Sequence, residues 1–259
     1  MDLGLEGKVA MVAAASKGIG LAIAQELAAE GCQLSICARS EENLEHAVEQ
    51  IHPETRPYVV DVSNPEDLAW WISETKKDLG APDILVTNTG GPPAGPVADV
   101  TDEQWQAGID STLMNIIRLY RMVRGDMIEK GWGRIVHITS LAAWEPNDIL
   151  PISSTLRTGI RALTRLQATD LAPYGVTVNS VLPGNTFTDR QKHLIEVRAS
   201  KEGISEDQAT EKQTASIPMK RFAEAAEIAA AVAFLCSTRA SYVTGINMLV
   251  DGGVTKTFA

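Results

Sequence analysis

The sequence predicts an α/β fold: a single Rossmann-type doubly wound parallel sheet of about seven strands, with helices on both faces. Three observations carry this. Short β-branched runs alternate with longer helical patterns from one end of the chain to the other. The first strand runs through a glycine-containing turn straight into a helix. No linker, repeat or low-complexity stretch divides the 259 residues, so residues 1–259 form one domain of a size α/β folds routinely reach.

The elements follow in order. Lys8–Ala13 is the first strand and Ile19–Ala29 the first helix, with Gly31 offering an easy left-handed C-cap. Gln33–Cys37 is the second strand, Glu41–Ile51 the second helix, and Pro57–Val60 a third strand closing on Asp61. Asn64-Pro65-Glu66-Asp67 starts the next helix: asparagine caps, proline suits the first turn, and acids suit the positive end of the helix dipole. Ile84–Thr87, Arg134–Thr139 and Thr177–Leu182 are later strands, with long helices at Asp102–Glu129 and Ile152–Leu171 between them. Asp189–Ser216 is polar, charged and helical without a strong apolar stripe, which predicts a substrate-lid insertion over residues 189–216. Ala225–Cys236 resumes the pattern as an amphipathic helix, and Asn247–Val250 is the last strand.

Composition excludes several classes. With 44% hydrophobic and 22% charged residues the chain is neither disordered nor a disulfide scaffold, and a net charge of -10 argues against a broad nucleic-acid surface. No stretch approaches the roughly 20 apolar residues that cross a bilayer, and the acidic start Met1–Glu6 lacks the pattern of a signal peptide, so no membrane partner is expected. Cys32, Cys37 and Cys236 lack zinc-site spacing and read as small buried hydrophobes, which suits the reducing cytoplasm. His46, His52, His137 and His193 are scattered, so no metal site is expected, and His137 reads as a strand or core histidine.

The turn Ala13-Ala14-Ala15-Ser16-Lys17-Gly18-Ile19-Gly20 lets backbone approach a pyrophosphate, whose charge the following helix N-terminus stabilises. Folds that prefer NAD place an acid at the end of the second strand for the ribose hydroxyls. Here Arg39 and Ser40 stand at that place, and a guanidinium grips phosphate oxygens bidentately. With Lys17 adding a second cation, NADP(H) is favoured over NAD(H).

These motifs, in this order, resemble the short-chain dehydrogenase/reductase family over nearly the whole chain. The family's TGxxxGxG turn is matched by Ala13–Gly20, with Ala14 in place of the first glycine. Asn88-Thr89-Gly90 resembles its Asn-Ala-Gly signature, Asp61-Val62 sits where members hold the adenine ring, and Pro183-Gly184-Asn185-Thr186-Phe187-Thr188 matches the PGxxxT segment around the nicotinamide. The resemblance thus implies cofactor contacts at Ala13, Ser16, Lys17, Gly18, Ile19, Gly20, Arg39, Ser40, Asp61, Val62, Asn88, Thr89, Gly90, Pro183, Gly184, Thr186 and Thr188. It also implies a homotetramer or homodimer, in which the helix carrying Arg157, Arg161 and Arg165 packs on its partner; Arg161 and Arg165 then form an exposed or interface stripe.

The chain departs from the family at the catalytic centre. Ser140 fits the family serine, but the Tyr-x-x-x-Lys pair that follows it falls on Ser153 and Arg157. There is no tyrosine between Tyr120 and Tyr174 and no lysine between Lys130 and Lys192, so no shift of register restores the pair. The family's helix asparagine aligns with Thr112, and Asn115 lies one turn away. A serine is a weaker acid than a phenol and arginine stays protonated, so Ser140, Ser153 and Arg157 are expected to order water or stabilise an oxyanion. Glu145 and Asp148 are alternative proton donors that also read as solvated loop acids. The Gly91–Pro96 loop is expected to shape the substrate pocket, and Phe187, Trp144 and Leu150 read equally as apolar walls of it or as core packing. The reading is an NADP(H)-dependent oxidoreductase of the carbonyl or 3-oxoacyl reductase type, acting on a small carbonyl or enone. The alternative is a catalytically impaired NADP(H)-binding sensor or scaffold.

Overall fold

The computed structural model describes residues 2–51 and 54–256, apart from a few side chains in the 190–201 helix, among them that of His193; His52 lies outside the described residues. Seven parallel strands form one sheet in the order β3-β2-β1-β4-β5-β6-β7. They are β1 (Val9–Val12), β2 (Gln33–Ala38), β3 (Arg56–Val59), β4 (Ile84–Thr87), β5 (Gly133–Ile138), β6 (Val176–Pro183) and β7 (Asn247–Val250). Nine α-helices connect them among the described residues: α1 (Gly18–Ala29), α2 (Glu41–Ile51), α3 (Pro65–Asp78), α4 (Asp102–Gly108), α5 (Asn115–Lys130), α6 (Pro151–Leu171), α7 (Asp189–Glu202), α8 (Glu206–Thr214) and α9 (Ala225–Cys236). The doubly wound sheet read from the alternation is therefore the observed one.

Period-two alternation sorts the strand residues onto two apolar faces. Ala10, Val12, Ile84, Val86, Val136, Ile138 and Val181 face α1, α2 and α9; Met11, Ala13, Leu85, Ile135, Val176 and Val178 face α3, α5 and α6. Trp71 is the largest wholly buried side chain, and its indole N–H donates to Ser35 Oγ (2.8 Å), which in turn shares a proton with Thr75 Oγ1 (2.6 Å). These three polar groups are thus paired inside the layer, as burial demands. Asn64 caps α3 by accepting from the N–H groups of Glu66 and Asp67, as its sequence position predicts.

Two elements differ from expectation. The single helix expected over Asp102–Glu129 is interrupted by a π-helical turn, Ile109–Met114, between α4 and α5. This wider turn rotates the second half of the helix and buries both Thr112 and Asn115; such turns concentrate at functional sites. The segment expected to be a lid, residues 189–216, also has apolar contacts of its own. Ile195, Ala199 and Ala209 pack with Ile217 and Phe222, an apolar patch invisible in either helix alone because each contributes only one or two residues.

His137 lies wholly inside the sheet layer, with Nδ1 at 2.9 Å from Thr87 Oγ1 and Nε2 at 2.8 Å from Gln167 Oε1. It is a core histidine, as read from the strand. Burial, partly offset by the Gln167 hydrogen bond, lowers its pKa to about 4. Its folded pKa lies below the unfolded value of about 6.5, so protonation favours unfolding. Stability should fall by on the order of 3 kcal/mol from this group as pH drops from about 6.5 to about 4. Urea denaturation across that window should show a shallower acid loss in His137→Gln, and an identical slope would contradict the assignment.

Candidate active site

The order β3-β2-β1-β4 reverses direction between β1 and β4, and in open α/β sheets the crevice at such a point receives ligands. The turn after β1 and the segment after β4 meet there. Asn88 Nδ2 donates to the Ala14 carbonyl at 3.2 Å, and it does so across Gly20. A Cβ on Gly20 would lie 2.3 Å from the Ala14 carbonyl oxygen and 2.8 Å from Asn88 Nδ2, so only glycine permits the crossing. Ala14 occupies the left-handed region with φ 49°, the conformation for which the family motif supplies glycine. Gly18 also has positive φ, and the Thr188 methyl lies 3.4 Å from where its Cβ would be. The structure therefore closes Thr188, from the far end of the sheet, over the glycine turn.

The start of α1 suits an anion. Its N-cap, Lys17, makes no side-chain capping bond and the first turn holds no acid, whereas α3, α4 and α8 are capped by side chains and carry acids there. Four N–H groups at a helix start need partners, and a pyrophosphate supplies them. Together with the cradle that a Cβ at Gly20 would fill, this fits a dinucleotide. Lys17 and Arg39 are exposed beside the turn, and Ser40 Oγ accepts from the Asn43 N–H (3.3 Å) at the start of α2. Asp61 Oδ1 accepts from the N–H (2.9 Å) and hydroxyl (2.7 Å) of Ser63. Burial alone would raise the Asp61 carboxyl, but these bonds and the nearby Arg39 hold it below the ordinary carboxylate range. Pro183 and Gly184 leave β6 against the end of β7, Thr186 Oγ1 donates back to the Gly184 carbonyl (3.1 Å), and Thr186 bridges Ala223. Val62 is half-buried, while Thr89 and Gly90 continue from Asn88 toward the exposed edge.

Ser140 and Arg157 meet at the carboxyl end of β5, with Ser153 one turn before Arg157 on α6. Ser140 follows that strand, with Oγ accepting from the Ala142 N–H at 3.1 Å. Ser153 and Arg157 are buried one turn apart on α6. Arg157 Nη1 donates to the carbonyls of Ile138 and Thr139, the two residues before Ser140. Thr87, Asn88, Thr112, Asn115, Ile138 and Arg157 line one narrow, closely packed pocket, which brings Arg157 beside the Asn88 segment. Ser153 stands in the first turn of α6, which begins with Pro151, holds no acid and lacks a side-chain cap, so the positive end of its dipole is turned to this place.

Other expectations resolve differently. Arg161 is no exposed stripe: its guanidinium stacks 3.7 Å from the Trp144 ring and donates to the Ala143 carbonyl (3.0 Å), tying α6 to the loop after Ser140. Arg165 remains exposed. Glu145 accepts from the Lys256 N–H (2.8 Å), an anchoring contact, while Asp148 is a solvated loop acid. Phe187 is 40% exposed and stacked on Phe222 at the foot of the lid. The Gly91–Pro96 loop is tied to the Ser140 side by the Gly95 N–H, which donates to the Ile149 carbonyl (2.9 Å). Cys37 and Cys236 are buried and Cys32 half-buried, burial pushes the thiols of Cys32 and Cys37 up to about 12, and no disulfide forms. Among the described residues no group of three His, Cys, Asp or Glu side chains could hold a metal, and no helix is long and apolar enough to cross a membrane.

Known proteins share this arrangement. A family model described as enoyl-(acyl carrier protein) reductase matches residues 13–255. The 3-oxoacyl-[acyl-carrier-protein] reductase FabG of Vibrio cholerae is 32% identical over 252 residues, covering 97% of this chain and 99% of the relative. The chain belongs to the short-chain dehydrogenase/reductase family. Within that family the crystal structure of L-sorbose reductase from Gluconobacter frateurii, complexed with NADPH and L-sorbose, superposes with a TM-score of 0.95 at 31% identity and full coverage of both chains. An actinorhodin polyketide ketoreductase variant with NADPH gives 0.92 at 30% identity, over 96% of this chain and 98% of that one. Short-chain dehydrogenase/reductase relatives that are oxidoreductases and that bind NADPH thus surround this chain.

The strain at Ala14 makes a stability prediction. A left-handed alanine costs about 1–2 kcal/mol, partly offset in a glycine variant by unfolded-chain entropy, so Ala14→Gly should gain about 0.5–1 kcal/mol. Gly20→Ala should instead lose at least about 2 kcal/mol, since the new methyl meets backbone. Urea midpoints of the two variants moving in the same direction would refute this account of the turn.

Proposed function

We propose that this protein is an NADP(H)-dependent oxidoreductase, of carbonyl or 3-oxoacyl reductase type, whose catalytic centre works without the family's tyrosine and lysine. When bound, the cofactor supplies or accepts the hydride. Arg39 and Lys17, exposed and in no salt bridge among the described residues, Arg39 having only the longer-range attraction of Asp61, support recognition of the 2′-phosphate over NAD(H). A guanidinium at the end of β2 binds a phosphate and gives a ribose diol nothing it prefers.

The observation that carries the reading of the centre is where the tyrosines stand. Tyr58 donates to Asp78 (2.8 Å), Tyr120 bonds Asp170, and Tyr174 and Tyr242 are exposed. None lines the pocket of Asn88, Thr112, Asn115 and Arg157. The residues that remain are Ser140, Ser153 and Arg157. Arg157 fixes the carbonyls before Ser140, so it holds that serine in place, and its charge with the positive end of α6 favours an oxygen that becomes negative. A proton then reaches that oxygen through water ordered by the two hydroxyls. Losing a positioned general acid costs roughly 10²–10⁴ in rate, about 3–5 kcal/mol. Substrates that need little acid help fit such a centre: an activated carbonyl, or a conjugated enone in which hydride adds to the alkene. The enoyl reductase model that spans the chain supports the second possibility. The assembly that accompanies this reading is a homodimer or homotetramer through the outer face of α6, where Leu166 is 68% exposed.

Fluorescence titration tests the cofactor: NADPH should bind at least tenfold more tightly than NADH, and Arg39→Asp should remove the difference. Equal affinities would overturn the preference. A carbonyl and enone panel with NADPH then tests the centre. Ser153→Tyr with Arg157→Lys should raise simple ketone reduction at least tenfold while leaving enone reduction within a fewfold. NADPH binding with no turnover of any substrate would favour the sensor or scaffold reading.

A further inference from the structure

Arg118 joins two parts of the molecule that are distant in sequence. Its Nη1 donates to the Ser63 carbonyl at 3.0 Å, and its Nη2 to Asp110 Oδ1 at 3.0 Å. Asp110 belongs to the π turn, and its second oxygen accepts from Gln106 Nε2 at 2.9 Å. Ser63 closes the turn after β3, where both its N–H and its hydroxyl donate to Asp61 Oδ1. The Asp61 N–H donates in turn to Asp67 Oδ2 (2.9 Å) at the start of α3. One chain of bonds therefore runs from Gln106 through Asp110 and Arg118 to the Asp61–Ser63 turn.

This differs from an ordinary surface ion pair. Eight residues of ideal helix rise about 12 Å, so Arg118 lies stretched back along its helix toward Asp110, the direction helical side chains favour. Its side chain is only 19% exposed. Both ends of the guanidinium are held, one by a carboxylate and one by main chain, and charge-assisted bonds of this kind are stronger than neutral ones. The main-chain bond matters more for the site. It clamps the peptide between Ser63 and Asn64 from outside a turn whose other bonds, from the Ser63 N–H and hydroxyl, the Asn64 N–H and Asp67, all come from residues 61–67, and a turn held by such local bonds alone samples other conformations more readily.

We propose that Arg118 is a positioning residue for the adenine end of the dinucleotide groove, acting through the Ser63 carbonyl on the Asp61–Ser63 turn. It makes no contact with the cofactor itself. The inference rests on the nucleotide-binding reading above and adds to it a residue outside every motif that carries that reading. The consequence is an asymmetry: loss of Arg118 should weaken the adenine half of the cofactor and spare the nicotinamide half.

The test measures dissociation constants of 2′,5′-ADP, reduced nicotinamide mononucleotide and NADPH for the full-length protein. Arg118→Met should weaken 2′,5′-ADP and NADPH about tenfold and leave the mononucleotide within twofold. Arg118→Lys, which keeps the charge but spans only one partner, should lose an intermediate amount, and it serves as the test if the methionine variant does not fold. Asp110→Asn, which retains the Ser63 bond, should lose less than either. Equal weakening of both halves would mean a general loosening of the fold and would overturn the proposal, as would no weakening of 2′,5′-ADP. If the wild-type protein binds neither NADPH nor 2′,5′-ADP, the nucleotide reading fails and this inference with it; if it binds them and Arg118→Met binds equally well, this inference alone fails.

Discussion

The missing side chain at Gly20 is the constraint on which the site depends. Because nothing projects there, Asn88 reaches over α1 to the Ala14 carbonyl and locks the ends of β1 and β4 together at the point where the sheet reverses. That lock sets the height of the first helix turn above the sheet and the direction of the Asn88–Gly90 segment. It also sets the floor of the small pocket where Thr112, Asn115 and Arg157 converge. A protein interior packed to this density passes a displacement of one methyl on to its neighbours instead of absorbing it.

The fold was readable because its signals are local and repeated. Each strand is a β-branched run, and each connection a helix with an identifiable start, as at Asn64-Pro65. The glycine turn was readable for the same reason, and the structure brings Asn88 across Gly20 and Thr188 against Gly18, as their places in the sequence motifs led one to expect. What the sequence concealed depends on tertiary contact. The π turn at Ile109–Met114 has no composition of its own, and it decides that Thr112 and Asn115 are both buried. Arg161 looked like one member of a charged stripe until Trp144 folded beneath it. Arg118 is one arginine among many on an amphipathic helix, and only the fold brings it to Ser63. The apolar cluster over residues 195–222 likewise joins two helices that each look polar alone to Ile217 and Phe222 beyond them.

Electrostatics divides the molecule in a similar way. The chain carries a net charge of -10, yet the crevice is bordered by Lys17, Arg39, Arg157 and the uncapped N-termini of α1 and α6. Surplus acid elsewhere repels polyanions. The crevice keeps its attraction for a small, compact anion because opposing charges farther off than about 10 Å are screened by salt.

The separate apolar cluster of residues 195–222 has a consequence for how the protein spends its time. Ile195, Ala199, Ala209, Ile217 and Phe222 pack chiefly on one another, and Phe187 joins them to the body through the Phe222 stack and the Thr186–Ala223 bridge. Such a subassembly is a cooperative unit with its own opening equilibrium, distinct from the unfolding of the sheet. Amides in α7 and α8 would then exchange hydrogen together, through one shared opening, while those of β1, β4 and β5 would exchange only through global unfolding.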